Sequence, residues 1–153
     1  MTTTTAQATQ VYQVFIKASP EAIWEAITQP EFTERYFYGA RIDVRDGRRF
    51  SAIGEIEWTD EVIEADPPRR LVHGWVSGWD SDMAAEEPSR VTWEIEAQDG
   101  GITKLTVVHD QLEGAPKTAE SVSGVGWMYV LSGLKTLLET GSPLKPEKAE
   151  VWQ

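Results

Sequence analysis

Two stretches of the sequence decide the fold: Leu105-Thr106-Val107-Val108-His109-Asp110-Gln111-Leu112, and Gly126-Trp127-x-x-x-Leu131-x-x-Leu134-x-x-x-Leu138. The first alternates as a half-buried strand does, and a histidine lies near its end. The second repeats its apolar residues at i, i+4, i+7 and i+11, which places them on one face of a helix. A strand-rich sheet crossed by such a helix can enclose a cavity.

The signals on either side of these stretches indicate an α+β domain. The β-branched segment 10–17 predicts a first strand, and Ser19-Pro20 predicts the start of a helix. A second short helix is expected at 31–35. A long helix is expected from Lys117 to Thr140, where Gly141 ends it. Further strands are predicted at 39–45, 48–53, 55–65, 70–77, 89–97 and 101–110.

The composition limits the classes of function. The chain has 153 residues, 41% of them hydrophobic and seven of them tryptophan. This composition predicts one packed domain over residues 9–141. The ends, 1–8 and 142–153, are expected to be disordered or tail-like. The formal net charge of −11 repels phosphate backbones, so no nucleic acid is expected as a partner. Arg45, Arg48 and Arg49 are interpreted as solvated loop charge.

The hydrophobic pattern of the chain predicts no contact with a membrane. Its apolar runs are all far shorter than the ~20 residues of a membrane span. The N-terminal segment 1–7 has neither the basic start nor the apolar stretch of a signal peptide. A cytoplasmic location is therefore expected. The absence of cysteine excludes disulfides and thiolate chemistry.

The two histidines give the sharpest local prediction. Strand alternation puts His73 and His109 on the same sides of their strands as apolar neighbours, so both are expected to point inwards. Each is either a hydrogen-bonded core residue or a functional group. For His73 the core interpretation is favoured, whereas for His109 the two interpretations are equally weighted. Two histidines without HxH or HExxH spacing predict no metal site, and no cofactor is expected.

The aromatic residues exceed what a core of this size needs, and some are expected to line a ligand cavity. Within this set His109 is the preferred polar contact and the candidate catalytic residue, if the protein has one. The predicted ligand-binding residues are Tyr36, Tyr38, Trp58, His73, Trp75, Trp93, His109, Trp127 and Met128.

Several motifs in order resemble the SRPBCC superfamily, also called START-like or Bet v-like. They are Val14-Phe15-Ile16-Lys17-Ala18-Ser19-Pro20-Glu21-x-Ile23-Trp24, Glu64-x-Asp66-Pro67-Pro68-Arg69-Arg70-Leu71-Val72, Val91-Thr92-Trp93-Glu94-Ile95 and the two opening stretches. The branch that the chain resembles is related to the C-terminal domain of the heat-shock-protein-90 ATPase activator. The resemblance implies a helix-grip fold, in which a curved antiparallel sheet wraps around a long C-terminal helix, with two short helices after strand 1 and a hydrophobic cavity.

The function expected from this resemblance is binding of an apolar or aromatic small molecule, lipid-like or polyketide-like, in the cavity. Two alternatives remain. One is a cavity hydrolase or cyclase with His109 as general base. The other is a co-chaperone-like protein-interaction module, which has another protein as partner. Independently of these functions, a homodimer is left open. The genomic context common in this branch hints at stress response.

Overall fold

A computed structural model describes residues 8–144. One antiparallel seven-stranded sheet dominates it, in the order β1-β7-β6-β5-β4-β3-β2, so that β1 and β2 form its two edges. This is the α+β helix-grip architecture predicted from the sequence. The strands are β1 Gln10–Ile16, β2 Arg41–Arg45, β3 Arg48–Ile53, β4 Ile56–Asp66, β5 Arg70–Trp75, β6 Ser89–Ala97 and β7 Thr103–Asp110.

Short helices follow the first strand, and a longer one closes the chain. The N-cap of α1 is Ser19, whose side chain accepts a hydrogen bond from the Ala22 N–H at 3.1 Å, as the Ser-Pro motif predicts. The last helix ends at Gly141, whose φ of 82° suits glycine. The helices are α1 Pro20–Thr28, α2 Pro30–Thr33, α3 Ser81–Ala84, α4 Pro116–Ser121 and α5 Trp127–Thr140.

The C-terminal helix is interrupted, where the sequence predicts one helix from Lys117 to Thr140 with Gly124-Val125-Gly126 as either a close approach to the sheet or a kink. A π-helical segment, Val122–Gly126, separates α4 from α5. Gly124 lies at φ −71° and ψ −105°, outside the helical region. Because glycine lacks a Cβ, two glycines within five residues allow this distortion, which apolar periodicity alone does not reveal.

The core lies between α5 and the concave face of the sheet. One face of α5 supplies Trp127, Leu131, Leu134 and Leu137, all of them buried. Gly133 lets α5 approach the segment after α2, because a Cβ there would lie 3.1 Å from Tyr36 Cβ. The sheet contributes the inward-facing residues of β6 and β7, which are buried as the alternation of these strands predicts. Thr92 and Thr106, on the opposite side, are buried as well.

The two predicted tails lie largely outside the described residues. Residues 1–7 and 145–153 are not described, whereas residue 8 and residues 142–144 are. A short 3₁₀ turn, Asp99–Gly101, joins β6 to β7, which pair antiparallel. Within residues 8–144, every helix is too short or too polar to cross a membrane.

Candidate ligand-binding site

A cavity of about 440 Å³ lies between the sheet and the C-terminal helical segments. Its wall is built from β3, β4, β5, the 37–42 segment, the 76–79 loop and the region 121–130. The lining residues are Phe37, Tyr38, Ala40, Ile42, Arg49, Ser51, Ile53, Trp58, Trp75, Val76, Trp79, Ser121, Val122, Val125, Gly126, Trp127 and Val130.

The inner wall is a cluster of three aromatic rings. Trp75, at the end of β5, lies 5.6 Å from Trp127 and 6.2 Å from Phe37 between ring centroids. Phe37 and Trp127 meet edge to face at 6.0 Å. All three side chains are buried, so the cluster is held by the core and presents a rigid apolar surface.

The mouth of the cavity is formed by partly exposed residues. Trp58 on β4 packs against Trp79 with centroids 5.8 Å apart. Gly78 makes this possible, because a Cβ there would lie 2.4 Å from the Trp58 ring. Tyr38 and Val125 complete the mouth and are 46% and 66% exposed. The cavity therefore runs from an exposed aromatic entrance to a buried interior.

The buried interior contains a charged residue, Arg49, the second residue of β3. Its guanidinium lies 5.2 Å from the centre of the Trp75 ring and 5.6 Å from that of Phe37. Asp60, its cross-strand partner on β4, is buried as well, and the nearest Arg49 Nη1 to Asp60 Oδ2 distance is 3.7 Å. The interpretation of Arg49 as solvated loop charge is wrong, because β3 turns this side chain inwards while Arg48 points to solvent.

Burial dominates the electrostatics of this pair. Desolvation lowers the pKa of Arg49, against the attraction of Asp60. Desolvation raises the pKa of Asp60 to about 6, although Arg49 and a hydrogen bond from the Val76 N–H both favour the charged carboxylate. The cavity therefore contains an arginine whose counter-ion, Asp60, has a pKa raised to about 6.

The histidines lie in the core, where each accepts a hydrogen bond from a tryptophan. Trp127 Nε1 donates to His109 Nδ1 at 3.0 Å, and His109 Nε2 lies 2.8 Å from Ser89 Oγ. Trp93 Nε1 donates to His73 Nε2 at 3.0 Å, while His73 Nδ1 donates to the Gly74 carbonyl at 2.7 Å. Each ring is thus neutral, with both nitrogens hydrogen-bonded.

Desolvation keeps both histidines neutral. It lowers the pKa of His109 to about 3, with Arg49 acting in the same direction and Asp110 opposing it. The pKa of His73 is also lowered well below its ordinary value, first by burial and then by Arg49. Neither imidazole is a member of the cavity wall.

The structure divides the nine residues predicted from the sequence into three groups. Tyr38, Trp58, Trp75 and Trp127 line the cavity. Met128 lies on the outer face of α5 and is 53% exposed. The remaining four are buried in the core and outside the wall: Tyr36, His73, Trp93 and His109.

The described residues, 8–144, contain no group of three or more histidine, aspartate or glutamate side chains arranged to hold a metal ion. Among the lining residues that sequence reasoning missed are the aromatic Phe37 and the polar pair Arg49 and Ser51. A signal for the latter exists in the alternation of β3, where Arg49, Ser51 and Ile53 share one side.

The family model for "Activator of Hsp90 ATPase homolog 1-like protein" matches residues 17–139. The chain belongs to this family. The resemblance noted in the sequence is thereby confirmed. A comparison with curated proteins gives no match.

Solved structures support the same fold. Protein MLL2253 from Mesorhizobium loti is 23% identical with a TM-score of 0.69, over 86% of this chain and 96% of that one. The Aha1 dimer from Colwellia psychrerythraea is 16% identical with a TM-score of 0.68, over 88% and 98%. DynU16, from the dynemicin biosynthetic locus, is 22% identical with a TM-score of 0.70, over 92% of this family member and 51% of DynU16. At these identities the likeness establishes the fold alone.

Proposed function

We propose that this family member binds an apolar or aromatic small molecule, lipid-like or polyketide-like, in the cavity between the sheet and the C-terminal helices. The aromatic cavity of about 440 Å³ is the observation that carries the proposal. That volume lies within the range of small-molecule sites. Burial of about 200 Å² of apolar ligand surface contributes about 5 kcal/mol before association costs are subtracted.

The similarity to DynU16, a protein of a biosynthetic locus, supports a small-molecule role over a purely structural one. The enzyme alternative has weaker support, because both ring nitrogens of His109 are engaged with Trp127 and Ser89. A general base needs a free nitrogen directed at its substrate. The protein-interaction alternative uses the acidic surface and makes no use of the cavity.

The test compares two substitutions on α5, one at a buried position that lines the cavity and one at an exposed position. Val130→Trp places an indole in the cavity, because Val130 is 2% exposed and lines the wall. Met128→Trp, two residues earlier, places the same indole in solvent. The readout is calorimetric titration with naphthalene-2-carboxylate and naphthalene-2-carboxamide, together with native mass spectrometry of the purified protein.

Binding of at least one probe by the wild type and Met128→Trp, with at least tenfold weaker binding in Val130→Trp, supports the proposal. Loss of a co-purified molecule in Val130→Trp alone would support it further. Absence of binding to the wild type, or equal binding by both variants, contradicts a cavity-centred function. Circular dichroism melts of both variants check that each is folded.

A further inference from the structure

The buried polar end of the cavity has more hydrogen-bonding capacity than the protein uses. Within residues 8–144, Arg49 Nε, Ser51 Oγ and Asp60 Oδ2 are buried and lack hydrogen-bond partners. Arg49 and Ser51 are each 3% exposed, and both line the cavity. A buried polar group without a hydrogen-bond partner destabilises the fold, so these three atoms call for an explanation.

The pairing of Arg49 with Asp60 does not supply that explanation. This chain forms a bidentate arginine–carboxylate pair elsewhere: Arg90 Nε and Nη2 lie 2.9 Å and 2.7 Å from the two Asp110 oxygens. The Arg49–Asp60 contact has one approach of 3.7 Å, which exceeds hydrogen-bond distance. Asp60 therefore balances charge without occupying the guanidinium donors.

The position of these donors identifies what they would bind. Arg49 and Ser51 are two residues apart on β3, so both side chains lie on the same side of the strand. A guanidinium fork and a neighbouring hydroxyl match the two oxygens of a carboxylate. The three rings Phe37, Trp75 and Trp127 then surround the apolar part of the molecule.

We propose that the ligand is an apolar or aromatic carboxylate, whose anionic head is bound by Arg49 and Ser51 at the buried end of the cavity. This inference rests on the proposed function and narrows it to a chemical class. Asp60 is then the counter-ion of Arg49 before an anion binds. A bound anion brings a second negative charge close to Asp60, so binding is coupled to protonation of Asp60 near neutral pH.

The experiment compares naphthalene-2-carboxylate with its neutral isostere, naphthalene-2-carboxamide. The wild type is expected to prefer the carboxylate about tenfold to a hundredfold, the range of charge-assisted hydrogen bonds. Asp60→Asn retains an oxygen for the Val76 N–H and removes the competing charge, so it should bind the carboxylate more tightly. Ser51→Ala should weaken carboxylate binding about fivefold, as loss of one hydrogen bond does.

The decisive variants carry two substitutions and have equal net charge. Arg49→Met/Asp60→Asn removes the cavity cation together with its counter-ion, so no charge is left buried. Arg48→Met/Asp60→Asn removes a neighbouring arginine that points to solvent. The first variant should lose the preference for the carboxylate, and the second should keep it. Calorimetry at pH 6.5 in two buffers should also show proton uptake with the carboxylate in the wild type and none in Asp60→Asn.

The outcomes separate the two proposals. Equal affinities for carboxylate and carboxamide in the wild type, or a preference that survives Arg49→Met/Asp60→Asn, would overturn the carboxylate inference while leaving cavity binding supported. Unchanged carboxylate affinity in Ser51→Ala would overturn the two-donor arrangement. Binding of neither probe to the wild type contradicts both proposals.

Discussion

His109 shows how one neutral side chain joins two parts of the fold. Its Nδ1 accepts the Trp127 N–H from α5, while its Nε2 bonds to Ser89 on β6. Protonation would put an N–H on Nδ1, facing the donor of Trp127, and this hydrogen bond would be lost. The same holds for His73 and Trp93. The core therefore requires both imidazoles to be neutral.

We expect the free energy of unfolding to fall as the pH is lowered from 7 to 5. The folded pKa of His109, about 3, lies below the ordinary 6.5, so its stabilising contribution is complete above pH 6.5 and declines below it. At pH 5 the loss from His109 is about 2 kcal/mol, and His73 acts in the same direction. Urea unfolding at several pH values measures the slope.

Two variants check the origin of this slope. His109→Asn keeps an acceptor for Trp127 and removes the titration, so its stability should depend less steeply on pH. Asp60 acts oppositely, because its raised pKa makes the fold more stable as pH falls through about 6. Asp60→Asn should therefore show a steeper acid loss. A slope unchanged in both variants would refute the assignment.

Gly78 controls the position of Trp58 at the cavity mouth. An alanine there would bring its Cβ to 2.4 Å from the Trp58 ring, so the indole must shift and its packing against Trp79 must change. We expect Gly78→Ala to lower stability by about 1–3 kcal/mol and to change the near-ultraviolet circular dichroism. Gly74→Ala, whose Cβ would meet its nearest atoms at 3.9 Å, is the matched control. Equal spectra for the two variants would contradict this role.

Among the elements, α4 is attached to the 76–88 loop through Glu86. The Glu86 carboxylate accepts hydrogen bonds from the Lys117 and Thr118 N–H groups at 2.7 Å and 3.0 Å, and from Thr118 Oγ1 at 2.9 Å. Thr118 in turn bonds to Ser77, which accepts the Trp75 N–H. This chain of contacts fixes the start of α4 relative to the aromatic wall.

Glu86→Ala should therefore lower stability by about 1–2 kcal/mol, because the first turn of α4 loses three acceptor contacts. The end of α4 lines the cavity, so probe affinity should fall in the same variant. Glu87→Ala changes an exposed neighbour with the same charge and serves as control. Thermal melts and calorimetric titrations measure both effects, and matching values for the two variants would rule out the proposed attachment.

The elements that the sequence predicted well carry local signals. Ser19-Pro20 and Gly141 define helix ends by their own chemistry, and β6 and β7 alternate over eight or more residues. The interruption at Val122–Gly126 has a weaker signal, because Gly124 and Gly126 allow a kink while the apolar spacing on both sides of it still fits one helix. Element type was therefore predictable, and the path of the C-terminal helix was not.

The candidate site was predicted less completely because it depends on strand register. Arg49 lies near the Asp46-Gly47 turn among other charges, which made solvent exposure the natural interpretation. Its opposition to Asp60 follows only from the pairing of β3 with β4. The aromatic wall was partly predicted from the sequence. Trp75 is predicted to lie on the inward side of its strand, and Trp127 shares a helix face with the apolar residues that follow it.

At the scale of the whole molecule, the sheet is open, so its backbone amides should be protected unevenly from hydrogen exchange. β6 is hydrogen-bonded to β5 and β7, whereas β2 is hydrogen-bonded only to β3. We expect the slowest amide exchange in β6 and β7 and much faster exchange in β2. Hydrogen–deuterium exchange with mass spectrometry measures the pattern, and β2 amides as slow as those of β6 would contradict it.

The arrangement of the histidine–tryptophan hydrogen bonds has a consequence for how this protein can change over evolutionary time. The hydrogen bond from Trp127 to His109 fastens α5 to the sheet, and the bonds of His109 with Ser89 and of His73 with Trp93 join strands within the sheet. Apart from Trp127, these residues lie outside the cavity wall. Substitutions at wall positions such as Ile53, Val122 or Val130 can reshape the cavity without touching those fastenings. Under the proposed function, the same scaffold can thus be adapted to different ligands, by selection or by design, with its architecture preserved.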